Sequence, residues 1–179
     1  MITKILIILA VLIGLFLIVA AFQPSDFRIT RSTQIAAPAS VVFAQANDLR
    51  LYQVWNPWGK HDLAAKYTFE GPSTGPGASM TWVGNSKVGE GRMTIVESRP
   101  NDVVKTRLDF LKPFASVCQA DFSFKEEGGK TQVIWSMSGP KNFMSKAMGL
   151  VMNMDKMIGG EFEKGLASLK GISEGAAAK

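Results

Sequence analysis

Residues 141–171 read KNFMSKAMGLVMNMDKMIGGEFEKGLASLKG. At helical spacing this stretch puts Met144, Met148, Val151, Asp155, Ile158, Phe162, Leu166 and Leu169 on one line, in steps of four and three. One long amphipathic helix with an apolar stripe is therefore expected over 141–171. Asp155 is the single carboxylate in that stripe. A helix of this kind needs an apolar surface to lie on, and the chain before it supplies one.

Working back from the helix, six runs are rich in β-branched and aromatic residues: KYTFEG (66–71), ASMTWVG (78–84), EGRMTIVESRP (90–100), DVVKTRLDFL (102–111), SVCQADFSFKEE (116–127) and KTQVIWSMSG (130–139). Turn residues such as Pro100-Asn101 and Gly128-Gly129 separate them, which predicts antiparallel hairpins. Period-two alternation sends Met80 and Trp82, Met93 and Ile95, Val104, Leu108 and Phe110, Cys118, Ala120, Phe122 and Phe124, and Val133, Trp135 and Met137 to one face. Lys105, Arg107, Asp121, Gln132 and Ser136 go to the other. Upstream, FRITRSTQIA (27–36) predicts a first strand, stopped by Pro38. Residues 38–55 carry Val42, Phe43, Ala46, Leu49 and Tyr52 at helical spacing, predicting two short helices broken near Asn47 and Asp48. The fold class expected is α+β: an antiparallel sheet of six to seven strands, apolar on one face, with the last helix covering that face.

Residues 5–22, ILIILAVLIGLFLIVAAF, contain no charged side chain. As a helix they rise about 27 Å, close to the thickness of a bilayer core. A transmembrane signal-anchor over 1–24 is the expectation. The rival is a cleaved signal peptide, for which Val19 and Ala21 offer small residues near a cleavage point. Lys4 and the amino terminus favour an inside amino end, although Arg28 and Arg31 lie just beyond the span. A single-pass protein with its domain on the outer, periplasmic or extracytoplasmic side is expected. The division is then an anchor over 1–24, a folded domain over 25–171 and a frayed Gly/Ala/Lys tail over 172–179.

Formal charge is +5, with basic residues scattered rather than grouped with aromatics. That argues against a nucleic-acid partner. Cys118 is the only cysteine and His61 the only histidine, so neither a disulfide nor a zinc site of several N or S ligands can be built within the chain. No P-loop or dinucleotide fingerprint is present, and the prolines of GPSTGPG (71–77) remove donors that a phosphate cradle would use. No metal or cofactor is expected.

Four segments carry a family resemblance: IAAPASVVF (35–43), WNPW (55–58), G-x-G at 89–91, and D-x-x-I-G-x-x-F-E-x-G-L-x-x-L-K (155–170). Together with the order strand, two short helices, six strands, long helix, they resemble the SRPBCC superfamily, the START-like group with the helix-grip fold. The resemblance is to its bacterial polyketide cyclase/dehydrase-like members and covers residues 27–171. It implies a curved sheet wrapped on the last helix, with an apolar cavity between them that takes lipids, sterols, polyketides or other hydrophobic molecules. It does not imply one activity.

Three functional readings follow: a tethered module that binds a hydrophobic small molecule or lipid, a cyclase- or dehydratase-type enzyme, and a packed structural or regulatory domain. The candidates for ligand contact are Trp58, Met80, Trp82, Met93, Phe110, Trp135, Met137, Met144, Met148, Met152 and Asp155. Aromatic rings and methionine offer large, adaptable apolar surface. The candidates for proton transfer are Asp155, His61 and Tyr52. A carboxylate turned into an apolar cavity would have a raised pKa and could act as acid or base. Against that, Asp155 could pair with an arginine, and His61 in GKHDL reads as a solvated turn. Trp55 or Trp58 is expected at the cavity rim, and Cys118 as a small buried hydrophobe.

Overall fold

The computed structural model describes residues 2–178. Along the chain come α1 (Ile2–Ala21), β1 (Asp26–Ile35), α2 (Ala39–Asn47), α3 (Leu49–Trp55), a 3-10 turn (Pro57–His61), β2 (Lys66–Glu70), β3 (Ser79–Val83), β4 (Glu90–Arg99), β5 (Val103–Lys112), β6 (Ser116–Glu127), β7 (Lys130–Pro140), α4 (Phe143–Val151) and α5 (Met154–Ala177). Tight turns at Asn101, with φ 61°, and at Gly128 and Gly129, with φ 59° and 74°, reverse the chain into hairpins. The seven strands form one sheet in the order β1-β7-β6-β5-β4-β3-β2. Every pairing is antiparallel, and β1 closes on β7 from Asp26↔Pro140 to Ile35↔Thr131.

The apolar residues that alternation sends to one face are buried there, with Phe110 partly so. Three helices cover that face, not the last one alone. Val42, Phe43 and Ala46 of α2 and Leu49, Tyr52 and Trp55 of α3 are all buried against it. The break between these two helices comes from Asp48, whose carboxylate accepts from the Arg50 N–H at 2.8 Å and so starts a new helix.

The stretch 141–171 is not one helix. Asn153 caps a fresh start, its side chain accepting from the Lys156 N–H at 2.9 Å, while Met152 is extended at φ −120°, ψ 130°. The apolar period runs across this break, which hides it in the sequence. The end of the chain differs as well. Instead of fraying after Gly171, α5 continues to Ala177, with Ser173 buried and Glu174 accepting from the Ala36 N–H at 2.8 Å.

Registers fix which turns share an end of the sheet. Asp26 faces Pro140, Gln119 faces Ser138, Phe110 faces Ser116, Glu90 faces Lys112 and Val83 faces Glu90. The entry to β1, the exit of β7 and the β3–β4 and β5–β6 turns therefore lie together. The start of α5 joins them, because Arg31 reaches Asp155 whereas Lys170 and Glu174 reach Gln34 and Ala36 at the other end. Helix α1 leaves from this same end. It is long and apolar enough to cross a membrane, with a mean hydropathy of 3.0, and among the described residues packs mainly along α4.

Candidate ligand cavity

Phe162 is the pivot of the interior. It lies on the inner face of α5, and its ring stacks on Trp135 of β7 at a centroid distance of 4.1 Å and 4° between planes. Trp58, from the 3-10 turn, meets both rings edge-on at 6.0 Å. Further across the sheet, Trp82 of β3 meets Phe110 of β5 edge-on at 5.8 Å. Between these groups remains a cavity of about 300 Å³, at the lower end of the roughly 300–1,000 Å³ usual for small-molecule sites.

Its walls are Tyr52, Trp58, Tyr67, Met80, Trp82, Met93, Leu108, Phe110, Ala120, Trp135, Met137, Ile158 and Phe162, with Asn56 beside them. Lys87, Val88, Gly89, Lys112 and Pro113 line it too, and these come from the β3–β4 turn, the last residue of β5 and the turn that follows it. The opening is thus at the end of the sheet from which α1 departs. Glycine at position 91 shapes the wall: a β-carbon there would collide with the Trp82 ring, so its absence lets the indole lie across β4.

Apart from Lys87 and Lys112 at the turns, the polar groups around the cavity are few and neutral. The Trp55 indole N–H donates to the Gln45 carbonyl at 3.0 Å and that of Trp82 to the Val88 carbonyl at 3.3 Å. The buried Trp135 N–H has no partner. The Tyr67 hydroxyl lies beside Gln53 without a hydrogen bond of good geometry. Burial pushes the Tyr52 and Tyr67 phenols up from their ordinary value, so both keep their protons at neutral pH. Lys112 is paired with Glu90 at 2.8 Å.

Seven of the residues singled out from sequence for ligand contact line this space: Trp58, Met80, Trp82, Met93, Phe110, Trp135 and Met137, and Tyr52 joins them. Met144, Met148 and Met152 do not. They are exposed on and just after α4, which the helix break turns away from the sheet. Asp155 is outside as well, with a side chain 62% exposed. It accepts from the Arg31 guanidinium at 2.8 and 3.1 Å, and Glu163 accepts from the same guanidinium at 2.7 Å. That hydrogen bond holds the Asp155 carboxyl below its ordinary range, the reverse of what a cavity carboxylate would show. Gly159, one turn on, belongs to the same arrangement, since a β-carbon there would strike the guanidinium. The D-x-x-I-G motif is therefore a seat for Arg31, which ties β1 to α5.

His61 is not among the lining residues. Its Nε2 lies 3.0 Å from Glu161 Oε2, and Lys164 donates to the same carboxylate at 2.7 Å. Burial opposes ionisation of Glu161, but the hydrogen bonds from Lys164 and His61 outweigh it and keep the carboxyl low. This pair fastens the 3-10 turn to α5. Trp55 is core rather than rim, and Cys118 is buried, with its thiol pushed up by desolvation. Sequence reading passed over Tyr67 and Val88 as lining residues. Tyr67 sits on the short β2, whose alternation with Phe69 was the available signal.

The family described as polyketide cyclase/dehydrase and lipid transport matches residues 26–174. The chain belongs to this family. Solved structures agree on the fold. Protein CV1439 from Chromobacterium violaceum superposes with a TM-score of 0.58 at 12% identity, covering 84% of this chain and 99% of that one. The Aha1 dimer from Colwellia psychrerythraea gives 0.59 at 14%, covering 83% and 96%. Protein Ms6760 from Mycobacterium smegmatis gives 0.56 at 16%, covering 81% and 89%. Comparison with proteins of curated function found no significant match. This member of the family adds to the shared domain a preceding helix of membrane-spanning length.

Proposed function

We propose that the protein is a membrane-tethered carrier or binding domain that holds one hydrophobic small molecule or lipid between its sheet and α5. The observation that supports this most directly is the open, largely apolar cavity whose lining includes two buried donors without partners, the Trp135 N–H and the Tyr67 hydroxyl. Leaving either donor unmet costs about 1–3 kcal/mol, so a ligand with an apolar body and one or two acceptor oxygens fits the site. The enzymatic alternative has lost its carboxylate, because Asp155 engages Arg31 outside the cavity. A packed structural domain would not keep this space open. The tether is α1, with the folded domain on the outer side of the membrane.

Native mass spectrometry of the full chain released from detergent is the test. A bound apolar molecule is expected, and Ala120→Phe, which places a ring in the cavity from β6, should abolish it while leaving the far-UV spectrum unchanged. A wild-type chain that emerges empty and does not take up the apolar dye N-phenyl-1-naphthylamine would refute the proposal. Reporter fusions at the carboxy end test the orientation, and activity of a cytoplasmic reporter alone would reverse it.

A further inference from the structure

Helix α4 has no buried residue, although Phe143, Met144, Met148 and Val151 are all large and apolar, the last 76% exposed. A soluble surface does not ordinarily carry such a face without a partner. Its position says what the partner is. α4 packs on α1 and on no other element to a comparable extent, so the two apolar surfaces are continuous. The Lys146 ammonium adds to this join, donating to the Ser25 hydroxyl at 3.1 Å. Met157 in the first turns of α5 and Phe114 at the tip of the β5–β6 turn are exposed at the same end of the sheet. Along the chain this face is flanked by Lys141 and Lys156. Of the acids at this end of the sheet, Asp155 is held by Arg31 and Glu90 by Lys112, and Asp26 stands opposite Pro140. An apolar strip edged with lysines matches an interface of acyl chains and anionic headgroups.

We propose that α4 and the β5–β6 tip lie in the interfacial layer of the bilayer that α1 crosses, so that the cavity mouth opens onto lipid. This rests on the tethered reading given above and adds to it a route for the ligand. Because Val88, Pro113 and Ile158 line the cavity on that same end, an apolar molecule passes between bilayer and cavity without crossing water. The surface acts as a docking face that holds the mouth against the membrane, where a tether alone would leave the domain free to tumble.

The test uses the full chain in vesicles of phosphatidylcholine and phosphatidylglycerol that carry nitroxide-labelled acyl chains. In a Cys118→Ala background, a fluorophore is attached singly at Met148→Cys, Phe114→Cys, Leu9→Cys in α1, or Lys125→Cys at the far end of β6. Quenching by the lipid nitroxide is expected at 148 and 114 as well as at 9, and not at 125. Leu9 quenched with 148 and 114 no more quenched than 125 would overturn the docking face while leaving the tether intact. No quenching at Leu9 would overturn the tether on its own, and quenching at 148 in that case would still support α4 as a membrane contact. Shielding of 148 from aqueous iodide without lipid quenching would mean that a protein covers the face, which also overturns the proposal. Lys141→Glu with Lys156→Glu should reduce quenching at 148 in the anionic vesicles and leave dye binding in detergent unchanged.

Discussion

Truncation of Phe162 to alanine tests whether α5 is held on the sheet by the aromatic stack. The ring is 1% exposed, lies face to face with Trp135 at 4.1 Å and meets Trp58 at 6.0 Å. Loss of a buried phenyl with the void it leaves costs about 3–5 kcal/mol. Three further considerations place the result within that range. The Trp135 and Trp58 contacts contribute roughly 0.5–1.5 kcal/mol each beyond area alone, but one edge of the ring already borders the cavity, so less new void is created. Alanine's better helix propensity returns roughly 0.5 kcal/mol. The expected loss is about 3 kcal/mol, at the lower end of the range for such truncations. In urea unfolding of the full chain in detergent, followed by tryptophan fluorescence, the midpoint should fall by about 1–2 M with an unchanged slope. Phe162→Leu should cost less than half as much, since it keeps most of the volume. A loss under about 1 kcal/mol for the alanine variant would refute the stack as the clamp between helix and sheet.

Other expectations follow from the same contacts. The Asp155 carboxyl is held below its ordinary value of 3.8 by Arg31. Its contribution to stability is therefore complete above that value and is lost as pH falls through the lower folded-state pKa. Asp155→Asn should flatten that part of the acid limb in urea midpoints measured against pH and leave ligand binding unchanged; weakened binding would return Asp155 to the cavity. Gly91→Val should push the Trp82 ring into the cavity, reducing dye uptake and shifting the tryptophan emission; unchanged emission would count against that packing. His61→Ala should leave dye binding intact, since His61 pairs with Glu161 on the surface, and a large loss would show that the 3-10 turn gates the site.

Much of the cavity wall was legible in the strands because a pleated sheet has only two faces. Period-two alternation in residues 78–84, 90–100, 102–111 and 130–139 therefore identifies Trp82, Met93, Phe110 and Trp135 as sharing one side. Once that side is known to be the covered one, each such residue is core or lining. The short helices were legible for a related reason: Asp48 is a capping residue between two apolar runs. Trp55 and Trp58 were not separable from sequence. Three residues apart across a proline turn, one fills the core and the other borders the cavity.

The last helix marks where that reasoning stops. Its sequence determined that most of residues 141–171 is helical with an apolar period, and that Phe162, Leu166 and Leu169 are buried, because those properties depend on spacing along one chain. What the stripe faces is decided by distant residues. Arg31 lies 124 positions before Asp155 and takes that carboxylate to the surface. Asn153 restarts the helix, so Met144 and Met148 follow the axis of α4 toward α1 rather than that of α5 across the sheet. A hydrophobic period specifies a face, but it carries no information about which surface meets it. Only the register of β1 against β7, with α1 and α5 set at one end, put the lining on one side and Met144, Met148 and Met152 on the other.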